Sequence, residues 1–475
     1  MSLTALEQHS ACTSILIGRS ATADGSVIIG RNEDSKAAWP KHFVAHPAKT
    51  ATETPYFESK DTGVRIPLPL ASLAYTATPE WTDQFGVFEE DGINSANVAM
   101  SATESAYANA RVLAYDPLVP AGIAEEAMVT VVLPYIETAR AGVQRLGQMI
   151  EQYGTSESNG ILFADQQEAW YMETVTGHLW VAQRIPDNGY AVVANQLAIQ
   201  EIKCDQPDQF LMASQLVPFA EKHHFWQADT PFNVRAIFGT KRADDLIYNT
   251  PRVWDGQRQL TPSVSQDPES FDLPFIQYPD QSIQLDQAMT ILGSHFQGTT
   301  FDPAGTTPIT KHYRPISLAK TQEAHLLQLR NDVPTPISGL HWLALGVAAE
   351  SIFVPFYAGI TKTPANYQIG GATYDEQSAY WTYKLLGVLV DSHYTQFQPQ
   401  LADLQRQVYS HLLGHLAQTD RQAQTLTGLA LTNCLNQAGI DQAAYAEKAV
   451  KKLTAQLITT ATDLSPLNFK TDANL

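Results

Sequence analysis

Cysteine is scarce in this 475-residue chain: Cys12, Cys204 and Cys434 are the only three, and they stand far apart. Scattered thiols rule out a disulfide framework and a cysteine zinc site, which both need closely spaced sets. Basic residues are few as well, 30 Lys and Arg against 49 Asp and Glu, for a formal net charge of −19. No Lys/Arg cluster breaks that acidity, which disfavours a nucleic-acid partner. Apolar runs stay well short of the roughly eighteen residues of a membrane span. The opening MSLTALEQHSACTSILIGRS lacks the basic and long apolar regions of a secretory signal. These absences lead us to expect a cytoplasmic protein with reduced thiols, and leave open whether it forms a homo-oligomer. Signature loops are missing too: there is no Gly-rich phosphate loop and no GxSxG. His411 and His415 have metal-pair spacing, but the HLLGH segment lacks the glutamate of HExxH. No metal and no organic cofactor is expected.

An apolar fraction of 44% is that of a globular chain with a sizeable core. Residues 1–11 show no periodicity and look like a short leader. Thr13–Gly18 and Ser26–Asn32 are β-rich runs around an Asp24-Gly25 pair, the turn chemistry of a hairpin. Further strand-like runs lie at Ile93–Ala102, Ser158–Ala164, Ala169–Thr174, His178–Arg184 and Tyr190–Asn195. A helical stripe covers Pro120–Tyr153, and Tyr248–Gly305 reads as irregular apart from a helix near Leu285–Leu292. Strands return at Arg314–Leu318, Ala324–Leu329, Gly339–Gly346 and Ile352–Tyr357, and from Gln377 onward the chain reads as helical. Strands flanking helices suggest stacked layers of sheet and helix, with a boundary near residue 365.

If the hairpin turn spans roughly residues 19–24, the antiparallel register sets Cys12 opposite Arg31. Such partners sit about 5 Å apart at Cβ, and a guanidinium favours the reactive thiolate. Asp34, three residues on, shares that corner. A thiol nucleophile also needs a base, and neither His9 nor His42 has reason to face Cys12. The α-amine of Cys12 would serve if the Ala11–Cys12 bond were cut, since its reference pKa of about 7.7–8.0 suits the task. On these features alone another reading stays open: a small buried cysteine at a strand start, beside an ordinary Arg31–Asp34 ion pair.

The segment ACTSILIGRSATADGSVIIGRNEDS resembles the opening of the PepD-like cysteine dipeptidases. These include the secernins and belong to the N-terminal-nucleophile hydrolases with bile salt hydrolases and penicillin V acylases. The likeness continues in order through DGINSANVAMSATES, EAWYMETVTGHLWVAQRIPDN, YAVVANQ, YNTPRVW, SHFQGTTFDPAG and VPFYAGI. It implies an α+β fold, a four-layer αββα sandwich: leader 1–11 removed, catalytic domain 12–365, and a helical region 366–475 packed on the same core. It implies Cys12 as nucleophile, Arg31 beside the thiolate, Asp34 on the α-amine, Asn195 at the oxyanion and Arg252 near the centre. Thr103 or Glu104 stands where the bile salt hydrolase branch has an asparagine, and a carboxylate there would suit the free amine of a peptide. The expected activity is hydrolysis of dipeptides. The alternatives are an acyl-amide hydrolase of the same fold and a non-catalytic secernin-like role.

Overall fold

The computed structural model describes residues 12–103 and 106–467. Twelve strands build two six-stranded sheets. In chain order these strands are β1 (Thr13–Ile17), β2 (Val27–Asp34), β3 (Asp91–Ile93), β4 (Ala99–Thr103), β5 (Gly160–Ala164) and β6 (Ala169–Thr174). They continue with β7 (Trp180–Arg184), β8 (Tyr190–Val193), β9 (Phe210–Met212), β10 (Thr321–Leu329), β11 (Gly339–Leu345) and β12 (Val354–Tyr357). The first sheet runs β8-β1-β2-β10-β11-β12 and the second β9-β7-β6-β5-β4-β3. Every neighbouring pair in both is antiparallel.

The sheets stack face to face. Leu16, Val27 and Ile29 of the central hairpin join one core between them, while Ile15, Ile17 and Ile28 turn outward into a second core. Burial on both faces explains why β1 and β2 read as near-continuous apolar runs instead of alternating ones. Each buried Leu or Ile contributes roughly 1.5–3 kcal/mol relative to exposure.

The longer helices cover the outer faces. They are α1 (Glu125–Val132), α2 (Ala139–Tyr153), α3 (Thr250–Leu260), α4 (Leu285–Leu292), α5 (Ala379–Ser392), α6 (Tyr394–Ala423) and α7 (Gly428–Asp463). Helices α1 and α2 lie on the second sheet; α3 to α7 lie on the first. The order helix, sheet, sheet, helix is an αββα sandwich. Helix α2 starts where Thr138 caps the Ala141 N–H and buries Val143, Leu146, Gly147 and Ile150, a 3.6-period stripe. At Gly147 a Cβ would fall 2.3 Å from the Trp180 ring, so only glycine allows this helix–sheet contact. No helix among the described residues is long and apolar enough to cross a membrane.

Four expectations need correction. The run Ile93–Ala102 is not one strand: it spans the turn between β3 and β4, which pair antiparallel with Ala99 opposite Ile93. The helical stripe over Pro120–Tyr153 is two helices separated by a 3-10 turn at Leu133–Tyr135, with Pro134 inside it. Arg314–Leu318 forms no strand: Pro315 removes a ladder donor, and Arg314 is drawn off to Asp34. The stretch from Tyr248 contains a real helix, α3, with Pro251 in its first turn, where the ring is tolerated.

Candidate active site

The site forms at the open end of β1 and β2. Thr13 pairs with Asn32 and Ser14 with Arg31, so continuing the ladder sets Cys12 opposite Glu33, not Arg31. The expected register was therefore two residues out. An even offset keeps every side chain on its face, and Arg31 still reaches the thiol diagonally: Nη1 lies 3.0 Å from Cys12 Sγ. The thiol donates to Glu33 Oε2 at 3.3 Å. The shift traces to the turn. Gly18 N–H donates to Gly189 O at 3.0 Å instead of closing on Gly25, and Gly25, at φ +74°, belongs to a longer loop.

Cys12 is 1% exposed. Burial, then Glu33, push its thiol well above the ordinary range, and the opposing pull of Arg31 does not overcome them. The guanidinium stands where the sequence suggested, yet the thiol is held protonated.

Around this pair the two sheets enclose a layer of charge. Arg31 pairs with Glu33, and with Glu90 at 3.0 Å; its Nε donates to Ser101 Oγ at 2.9 Å. Lys41 lies 2.5 Å from Glu90, and Glu125 lies 3.8 Å from Arg31. Beyond Ser101, His325 Nε2 is 3.1 Å from its Oγ, and His325 Nδ1 is 3.1 Å from Asp91. Five carboxylates, Glu33, Glu90, Asp91, Glu125 and Glu323, thus share one interior with Arg31 and Lys41. The interior reaches charge balance by protonation. Against the effect of burial, Lys41 and Arg31 hold Glu90 below its usual range, and His325 with His341, whose Nε2 lies 3.0 Å from Asp91, does the same for Asp91. Burial pushes Glu125 and Glu323 well up, and Glu33 up to about 7. Full ionisation of all five would leave uncompensated charges, each costing several kcal/mol.

A second constellation lies on the other side of Cys12. From α3, the buried Arg252 donates through Nη1 to the Cys12 carbonyl at 2.8 Å and to Thr13 Oγ1 at 2.9 Å. Its Nη2 donates to Asn195 Oδ1 at 2.6 Å and to Asn249 Oδ1 at 2.7 Å. Asn249 Oδ1 also accepts from the Asn195 backbone N–H at 3.0 Å. Desolvation, with Arg314 nearby, lowers the Arg252 guanidinium to about 9. Asn195 is thereby fixed by its oxygen, and its Nδ2, though buried, has no partner among the described residues.

The structure thus gathers Cys12, Arg31, Asn195 and Arg252. Asp34 falls, by strand alternation, on the face opposite the thiol's; its carboxylate accepts from Arg314 Nη2 at 2.6 Å and from Thr321 Oγ1. Thr103 ends β4 on the face of Ser101, fully buried, its Oγ1 unpartnered among the described residues. Glu104 and the leader 1–11 lie outside the described residues. The His411 ring stacks on that of Tyr445, centroids 3.5 Å apart, and both lie on exposed helix faces.

Sequence reasoning missed Glu33, Lys41, Glu90, Glu125, Ser101, His325 and Arg314. Only Glu33 carried a local signal, since residues two apart in a strand share a face and it follows Arg31 by two.

The model of peptidase family C69 matches residues 11–407. A probable dipeptidase of Latilactobacillus sakei is 42% identical over 473 residues, covering 98% of each chain. Probable dipeptidase B of Lactococcus lactis subsp. lactis (strain IL1403) is 41% identical over 394 residues, covering 81% of this chain and 82% of its own. Among solved structures, penicillin V acylase from Agrobacterium tumefaciens aligns with 73% of this chain and 86% of its own at 14% identity. The TM-score is 0.32, so the fold rests on the sheet topology above.

Proposed function

The chain belongs to peptidase family C69, and from that premise we propose that it is a cysteine dipeptidase whose nucleophile is Cys12, released by cleavage before it. The observation that carries the reading is the pairing around Cys12. A guanidinium stands 3.0 Å from Sγ, and on the other side Arg252 ties the Cys12 carbonyl to an asparagine with a spare amide donor.

The chemistry follows from these positions. The thiolate attacks the scissile carbonyl of a dipeptide, and the Cys12 α-amine carries the proton to the leaving amine. Asn195 Nδ2 donates to the developing oxyanion, a contact worth on the order of 3 kcal/mol. Arg252 orients that amide by holding its oxygen. Arg31 offsets the charge on sulfur once cleavage opens the site and hydrates it. Asp34 supports the α-amine through the chain end it flanks, and Thr103 with Glu104 receives the substrate's free amine. Water then hydrolyses the thioester. The peptidase acts in the cytoplasm on small peptides. Residues 1–11 are its leader, and the helices from 366 onward complete the catalytic unit.

Two measurements test this. Intact mass should show a chain lacking Met1–Ala11 in the wild type and a full-length chain in Cys12→Ala. Dipeptide hydrolysis by the wild type should be abolished by alkylation and survive a chelator. Activity that persists after alkylation and dies with chelation would sink the reading.

A further inference from the structure

We propose that Glu33 is the base that takes the Cys12 thiol proton in the uncleaved chain, so that release of residues 1–11 runs on a different base from the finished enzyme. The inference rests on the reading above that the chain cuts its own Ala11–Cys12 bond. That reading leaves a gap. The α-amine that serves as base in turnover does not exist before cleavage; the Cys12 nitrogen is then an amide and cannot accept a proton at neutral pH. A thiol held well above its ordinary range by burial cannot supply its own thiolate either. Something beside Sγ must accept the proton.

Among the described residues, two groups hydrogen-bond with Sγ. Arg31 Nη1, at 3.0 Å, has only donors. Glu33 Oε2, at 3.3 Å, already accepts from the thiol. Cys12 immediately precedes the Thr13–Asn32 pair, so extending that register by one residue sets it opposite Glu33, and the contact follows from backbone placement as well as side-chain position. The groups facing Glu33 tune it for the task. Burial and Glu90 raise its carboxyl, Arg31 and Lys41 lower it, its cross-strand partner Glu323 stands with Glu125 and His325 in the same layer, and it is left at about 7. A base with that value is partly ionised at neutral pH yet can return the proton.

The step balances with water alone. The S–H bond breaks and its proton goes to a Glu33 oxygen. Sulfur bonds to the Ala11 carbonyl carbon, which is attached directly to the Cys12 nitrogen. The C–N bond breaks, and the nitrogen leaves with the proton returned by Glu33, becoming the α-amine. Water then adds to the thioester and expels the thiol, and residues 1–11 leave as a carboxylic acid. Glu33 touches the reacting atoms, so it is a catalytic residue of processing.

The test follows loss of residues 1–11 from freshly made full-length chain by intact mass over time, from pH 5.5 to 9, with Cys12→Ala as the uncleaved control. Wild-type processing should rise about tenfold per pH unit up to roughly pH 7 and then level off. Glu33→Gln should slow it by about 100-fold or more, and Glu33→Asp should restore part of the rate. Circular dichroism checks that the variants fold. Should Glu33→Gln misfold, the wild-type profile still decides: a rate climbing tenfold per unit from pH 7 to 9 overturns the proposal. Glu33→Gln shedding its leader at the wild-type rate also overturns it. A wild-type chain that never sheds residues 1–11 overturns the self-cleavage reading beneath it, a result distinct from either.

Discussion

Asn195 has an amide whose two ends differ. Its oxygen accepts from Arg252 at 2.6 Å, while its Nδ2 is buried without a partner among the described residues. An unpaired buried donor costs about 1–3 kcal/mol, a cost explained if a substrate oxygen meets it during turnover. Asn195→Asp separates that role from a structural one. The carboxylate keeps, and strengthens, the contact to Arg252, but it puts an acceptor where the donor was. kcat on a dipeptide should fall by roughly 10²–10³, about 3–4 kcal/mol, with KM little changed and the melting temperature not lowered. Steady-state kinetics and a thermal melt read both; an unchanged kcat removes Asn195 from the oxyanion site. Nothing in the local sequence VVANQ singles this residue out, and only the family resemblance pointed to it. Its setting is legible only in three dimensions, because Arg252 and Asn249 lie more than fifty residues away. The same holds for Glu90 and Glu125, which reach Arg31, and for Lys41, which reaches Glu90: they come from separate segments and so leave no spacing to read.

Elements were legible where local chemistry and packing agree. The β1–β2 hairpin could be read because its apolar runs and the Asp-Gly turn point the same way. Its register could not, because β1 continues past Ile17 to bond Gly189 and Asp187, a contact no local pattern encodes. Helix α3 was missed for the opposite reason: Pro251 sits in its first turn, Pro262 follows its end, and few of its residues are apolar. The C-terminal helices were read from their periodicity, and their apolar faces join the core over the first sheet, to which a polar contact is added. Asp420 on α6 accepts two hydrogen bonds from Arg330, at 2.6 and 3.1 Å, and one from the Tyr357 hydroxyl of β12 at 2.7 Å. Arg330 is 7% exposed, so removing its partner leaves a buried cation uncompensated. Asp420→Ala should destabilise by about 3–5 kcal/mol, with α6 the first element to loosen. Hydrogen exchange would show protection lost first along Leu401, Val408 and Leu412, which α6 buries. Loss of protection spread evenly over both sheets would mean that this pairing does not anchor the helix.

At the scale of the whole molecule, buried acids set how stability follows pH. Glu33 is held at about 7 and Glu173 at about 8, the latter by burial that outweighs the Ala198 and Ile199 N–H groups and the Arg235 charge. In the unfolded chain both titrate near 4.5. Between those limits the native state binds more protons, so each group removes about 1.4 kcal/mol of stability per pH unit as pH rises. Below about 6.5 an opposing effect enters. His325 is lowered to about 4 in the fold, so unfolding takes up a proton and acid destabilises. Above 6.5 that opposition is gone, and stability should fall on the order of 3 kcal/mol between pH 6.5 and 8. The net charge of −19 adds surface repulsion with the same sign, but salt screens exposed charges and leaves buried groups almost untouched. Thermal melts across this range in 0.5 M NaCl therefore isolate the interior contribution. Glu173→Gln keeps an acceptor for the Ala198 N–H and cannot ionise, so its melting temperature should decline less steeply than the wild type's between pH 6.5 and 8. If the two slopes coincide in high salt, Glu173 is not a buried acid that titrates with folding. If the wild type shows no slope at all, the protonation pattern that balances charge between the sheets is wrong.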